Sequence, residues 1–156
     1  MIYVLNCRTR DTLVIFTSDN GAALVSKEKA GSNGPLLCGK QTTFEGGMRT
    51  PTIAWWASGR GRGVSHVVAT QMDFLPTLAE LAGVSLPPSL VLDGHSITSV
   101  LLSRPVTNHH PVFFYRGNIL YAVRWQHYKV MILYNTIPCN TIIKHSTMLH
   151  NHNIIM

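Results

Sequence analysis

VIFTSDNGAAL, residues 14–24, is the stretch on which the fold turns. An apolar, β-branched run ends in the polar cluster Thr17-Ser18-Asp19-Asn20-Gly21. Two readings compete. Asn-Gly after a strand is a common hairpin signal, because both residues tolerate positive φ. Asp and Asn at a strand's end also offer a carboxylate and an amide oxygen, the hard ligands that calcium prefers. Read by itself, the stretch favours the turn, and the rest of the chain has to decide.

The chain has 156 residues, which suits one domain or part of a larger one. Hydrophobic residues make up 46%, enough for a core. Charged residues make up only 13%, against about 25% in a typical globular chain, so part of the surface is expected to be covered by partners. The formal net charge of +6 suits an anionic ligand such as nucleic acid or a sulfated sugar. Asp93 is the last acidic residue, however, so the excess in the final third is a shortage of acids rather than a basic face. The three cysteines, Cys7, Cys38 and Cys139, form no C-x-x-C pair, which argues against a zinc knuckle or a thioredoxin-type site. The opening MIYVLNCRTR lacks the basic lead and long apolar core of a signal peptide. No apolar run approaches the ~20 residues of a membrane-spanning helix.

Residues 12–17 read as a buried strand and 21–50 as a loop with little regular structure. TIAWWA, 52–57, reads as a second strand, SGRGRG as a tight connection, and 64–69 as a third strand. QMDFLPTLAELAG, 71–83, reads as a helix that Asp73 caps, with Pro76 in its first turn and Gly83 at its end. Met72, Leu75, Leu78, Ala79 and Ala82 share one face of it. A short helix is expected over 96–102. Strands follow at 111–115, 119–125 and 128–134, the first two joined by a hairpin at Arg116-Gly117-Asn118. The tail, 135–156, has no acids and no period, and neither a helix nor a strand face is legible in it.

The run GSNGPLLCGKQTTFEGGMRTP, 31–51, combines five glycines with Lys40, Glu45 and Arg49. Lys40 reads either as a mobile ammonium meeting an oxyanion or as an ordinary solvated lysine. Glu45 and Arg49, four apart, read as an ion pair that pins the loop. Cys38 as a nucleophile lacks a neighbouring base. His66 and His95 stand alone and read as surface or packed side chains.

Taken together, FTSDNGAAL, the CGKQTTFEGGMR loop, AWW, and further on MDFLPTLAELAG, LDG and FFYRG resemble the sulfatase family over roughly residues 11–133. The resemblance implies an α/β class, a partial alkaline-phosphatase-like sulfatase fold. It comprises the end of the large α/β domain, 11–103, and the start of a small C-terminal antiparallel-sheet domain, 104–134. Residues 1–10 would be an off-family leader and 135–156 an off-family, disordered tail. By the same resemblance Asp19 and Asn20 ligate a calcium ion, overturning the turn reading, and Lys40 contacts the substrate sulfate. Cys38 would form a structural disulfide with a downstream cysteine, a role Cys139 could fill. The parent enzyme implied is a lysosomal sulfuric ester hydrolase that removes 6-sulfate from galactose or N-acetylgalactosamine in glycosaminoglycans. Its partner is a sulfated carbohydrate, with neither nucleic acid nor membrane, and a homodimer is left open.

The chain departs from the family in two respects. Sulfatases make their nucleophile, a formylglycine, from a cysteine in a C-x-P-x-R or related motif, and none of the three cysteines here opens one. The family's acidic pair, which supplies more calcium ligands, is also missing, since no Asp-Asp occurs. The chain is therefore expected to be a C-terminal portion, inactive alone. The alternatives are a non-catalytic truncated product and a basic module that binds sulfated polymers or nucleic acid.

Overall fold

The computed structural model describes residues 9–59, 61–106, 109–132 and 154–155. The strands are β1 (Leu13–Phe16), β2 (Thr52–Trp56), β3 (Val64–Ser65), β4 (Val112–Arg116), β5 (Ile119–Trp125), β6 (Tyr128–Met131) and β7 (Ile154–Ile155). The α-helices are α1 (Glu45–Met48), α2 (Phe74–Leu81) and α3 (Thr98–Leu101). The chain divides into two compact units, one of Met1–Thr17, Thr52–Asn108 and His152–Met156, the other of Ser18–Pro51 and His109–Asn151.

In the first unit β1 pairs antiparallel with β2, placing Leu13 opposite Trp56 and Phe16 opposite Ile53. Asn20-Gly21 therefore makes no hairpin. The partner of β1 arrives only after a long loop. The sheet order is β1-β2-β7-β3, with β7 parallel to β2 and antiparallel to β3. The pairing of Ile154 and Ile155 corrects the expectation that the tail holds no strand. Two β-branched residues suit an open ladder, and only two are needed. The strand expected over 64–69 stops at Ser65, where the Ser65 hydroxyl accepts the Val67 N–H at 3.3 Å and draws that N–H off the ladder.

Opposed residues of an antiparallel pair point to the same face, and so do residues two apart along a strand. Val14, Phe16, Ile53 and Trp55 thus share a face, on which Phe16 is 63%, Ile53 42% and Trp55 46% exposed. Ala54, on the opposite face, is buried. A sheet that is apolar on both faces is built to be covered on both.

The helix expected at 71–83 begins as a 3₁₀ turn, Gln71–Asp73, and continues as α2. The cap lies three residues earlier than expected: Thr70 is the N-cap, and Asp73, the third residue of the turn, reaches back so that its Oδ2 accepts the Thr70 N–H at 2.6 Å while its Oδ1 accepts the His95 N–H at 2.8 Å. Gly83, at φ +65°, closes the helix in the left-handed conformation. The side that packs inward is polar. The buried Thr77 hydroxyl donates to the Asp73 carbonyl at 2.5 Å and accepts the Ile97 N–H at 2.9 Å, which ties α2 to the segment leading into α3. The apolar stripe lies outside, with Met72, Leu75 and Leu78 each about half exposed.

In the second unit β4, β5 and β6 form an antiparallel meander, with Phe113 opposite Val123 and Trp125 opposite Tyr128. The turn at Gly117, φ +59°, is the expected hairpin. β5 is central and buries Ala122 and Arg124 completely or nearly so. The leader through residue 8 with Cys7, most of the tail, and Cys139 lie outside the described residues.

Candidate anion-binding site

The site is built within Ser18–Pro51. Its regular structure is a 3₁₀ segment, Leu24–Lys29, and the single turn of α1. The remainder is held by backbone-to-backbone contact. Gly21 N–H donates to the Gly47 carbonyl at 2.9 Å, Gly46 N–H to the Leu37 carbonyl at 2.9 Å, and Lys40 N–H to the Ala22 carbonyl at 3.0 Å. Such contact requires glycine. A Cβ on Gly21 would overlap the Gly46 carbonyl, and one on Gly46 would overlap the Cys38 carbonyl. Gly21 is thus present for close approach, not for positive φ, so the feature that suggested a hairpin has another cause.

Asn33 braces the loop from within. Its Oδ1 accepts the Ala22 N–H at 2.7 Å, and its Nδ2 donates to the Cys38 carbonyl at 2.8 Å. Cys38 is disulfide-bonded, in keeping with the structural role expected for it, and both possible partners lie outside the described residues. Cys38 and Gln41 hold φ of +61° and +75° on either side of Gly39-Lys40. Left-handed non-glycine residues cost about 1–3 kcal/mol each, and they cluster at functional sites.

These constraints border an open cavity of about 430 Å³ whose lining includes Ser18, Asn20, Gly21, Asn33, Lys40 and Arg49. The described residues that line it include two cations and no carboxylate. Asn20 and Lys40, both read from sequence, meet here. Asp19 is exposed beside Asn20 and does not line the cavity. His66 and His95 do not line it either.

The expected Glu45–Arg49 ion pair does not form. Glu45 Oε2 accepts from Arg124 Nη1 at 3.0 Å, and its Oε1 accepts from Lys129 Nζ at 2.8 Å. Lys129 also lies 4.2 Å from the Phe114 ring centre. Burial pushes the pKa of both cations down, against the pull of Glu45. Arg49 donates its backbone N–H to the Glu45 carbonyl, at 2.8 Å, and the residue lines the cavity. A four-residue spacing could not reveal this, because the partners that claim Glu45 lie 79 and 84 residues away.

Among the described residues no group of three His, Cys, Asp or Glu comes together to hold a metal ion. No helix among them is long and apolar enough to cross a membrane.

The sulfatase family model matches residues 5–84. The chain belongs to the sulfatase family. It is 50% identical to N-acetylgalactosamine-6-sulfatase of Rattus norvegicus over 123 residues, which is 78% of this chain and 23% of that protein. To human arylsulfatase A it is 43% identical over 126 residues, 76% of this chain and 24% of that one. The chain thus spans about a quarter of the length of these relatives. Among solved structures, the PsFucS1 sulfatase from Pseudoalteromonas sp. aligns with a TM-score of 0.67 at 31% identity, covering 80% of this chain and 25% of that one. The architecture is accordingly part of the alkaline-phosphatase-like sulfatase fold.

Proposed function

We propose that this chain is the segment of a sulfuric ester hydrolase that carries the sulfate contact and part of the calcium site. The parent reaction is removal of 6-sulfate from galactose or N-acetylgalactosamine in glycosaminoglycans, in the lysosome. The observation that carries this reading is the cavity lined by both Asn20 and Lys40, with no carboxylate among the described residues of its lining. Lys40 sets a positive charge against the sulfate oxygens and neutralises charge that grows on the leaving oxygen. In this reading residues 11–103 belong to the large domain, and 104–134 begin the small one.

Calcium fits in part. Asp19 and Asn20 offer one carboxylate and one amide oxygen at adjacent positions, two of the 6–8 oxygens that the ion takes. Bound there, it would supply Lewis-acid polarisation of a sulfate oxygen. Formylglycine does not fit the residues present. No cysteine opens the motif from which it is made, and Cys38 is committed to a disulfide. Attack on sulfur therefore cannot be assigned to any residue of this chain.

The test is a chimera in which the matched 123 residues of the rat N-acetylgalactosamine-6-sulfatase are replaced by those of this chain. The chimera is expected to release sulfate from galactose 6-sulfate. Lys40→Ala in it should lower kcat by roughly 10²–10³ and change KM less, as for loss of a transition-state contact. A folded chimera that binds the sugar but releases no sulfate, or Lys40→Ala without effect, would overturn the reading.

A further inference from the structure

We propose that Arg49 is a second anion-binding residue of the cavity and grips the same sulfate that Lys40 contacts, an inference that rests on the function proposed above.

Arg49 lines the cavity together with Lys40. It is partly buried, and among the described residues its side chain has neither a hydrogen bond nor an ion pair. The carboxylate nearest in sequence cannot serve it, since both oxygens of Glu45 are engaged by Arg124 and Lys129. Arg124 and Lys129 thus share the one carboxylate of Glu45. The charge of Arg49 is close enough to help hold the Arg124 pKa down, after burial. With no acid among the described residues that line the cavity, the Arg49 guanidinium is most simply compensated by an anion from outside.

The chemistry of the two cations is complementary. Lysine presents a compact point charge on a flexible stem. A guanidinium presents a planar fork that meets two oxygens of a tetrahedral oxyanion at once. Together they would fix a sulfate group in orientation as well as position. The loop can hold this geometry because it is braced by backbone contact at Gly21 and Gly46 and by Asn33. A cavity of about 430 Å³ exceeds what a sulfate alone fills and is within the range of small-molecule sites, so a sugar ring can enter with it.

The experiment is a titration of the full, isotope-labelled chain with sodium sulfate, with sodium chloride at matched ionic strength as control, followed by NMR at the Arg49 side-chain Nε–H and the Lys40 and Gly21 amides. Sulfate is expected to shift all three where chloride does not. Arg49→Gln should weaken sulfate binding about tenfold or more, as loss of a charged hydrogen bond does, and Arg49→Lys should restore part of it. If Lys40→Gln weakens binding while Arg49→Gln does not, Arg49 is no contact, and the role of Lys40 stands. If wild-type protein shows no sulfate-specific shift, both readings fall. The Arg49 Nε–H signal decides even if Arg49→Gln fails to fold: a resonance that sulfate leaves unmoved in wild-type protein overturns the inference.

Discussion

Glu45 Oε2 lies 3.0 Å from Arg124 Nη1, which joins the glycine loop to the centre of the β4–β5–β6 meander. Only 3% of the Arg124 side chain and 8% of that of Lys129 reach solvent. Glu45→Gln would strand two buried cations. Breaking a buried pair by removing one partner costs about 3–5 kcal/mol. Denaturant unfolding, read from amide exchange along β5, is expected to show a loss in that range. A loss under about 1 kcal/mol would mean that water already screens the cluster.

Lys129 gives the pH dependence a sign. Burial, the largest influence, lowers its folded pKa below 10.5, and Glu45 only partly opposes this. Between the folded pKa and 10.5 the unfolded chain therefore binds more protons than the folded one, so stability rises with pH in that window. Stability measured from neutral pH toward 10.5 should carry this rising contribution in wild-type protein, and Lys129→Gln should remove it. A variant with the same slope as wild type would contradict the assignment.

The glycines are expected to separate by cause. Gly46→Ala drives a Cβ into the Cys38 carbonyl, so it should cost more than about 3 kcal/mol or abolish order in the loop. Gly34→Ala meets nothing within 4 Å and is strained only by its φ of +55°. It should cost about 1–2 kcal/mol. Thermal melts of the two variants test the ordering, and equal losses would refute it.

The chain alone is expected neither to turn over a chromogenic aryl sulfate nor to bind calcium tightly. Two protein oxygens leave most of the shell to water, so affinity should be about 10⁻³ M or weaker. Calorimetry with calcium chloride and an aryl sulfate assay check this. A micromolar site abolished by Asp19→Ala would show that other ligands complete the shell.

Much of this was legible in the sequence because it is local. β1, β2, α2 and the β4–β5 hairpin followed from apolar runs, Asp73, Gly83 and Gly117. Asn20 and Lys40 were singled out through motifs, and both line one cavity. What could not be read depends on distant chain. Glu45 and Arg49 have the spacing of an ion pair, yet Arg124 and Lys129 take the carboxylate. Gly21 resembles a turn residue, yet its need is the carbonyl of Gly46. The α2 stripe was legible, but not that Thr77, rather than Leu75 or Leu78, would face inward.

The face of β1 and β2 formed by Phe16, Ile53 and Trp55 has a consequence for any cell that makes this chain without a layer to cover it. Exposed apolar sheet surface is what holdase chaperones capture and what seeds inclusion bodies. Yield of soluble protein is then governed by how fast that surface is masked after release from the ribosome, and steady-state abundance by the proteases that compete with the masking.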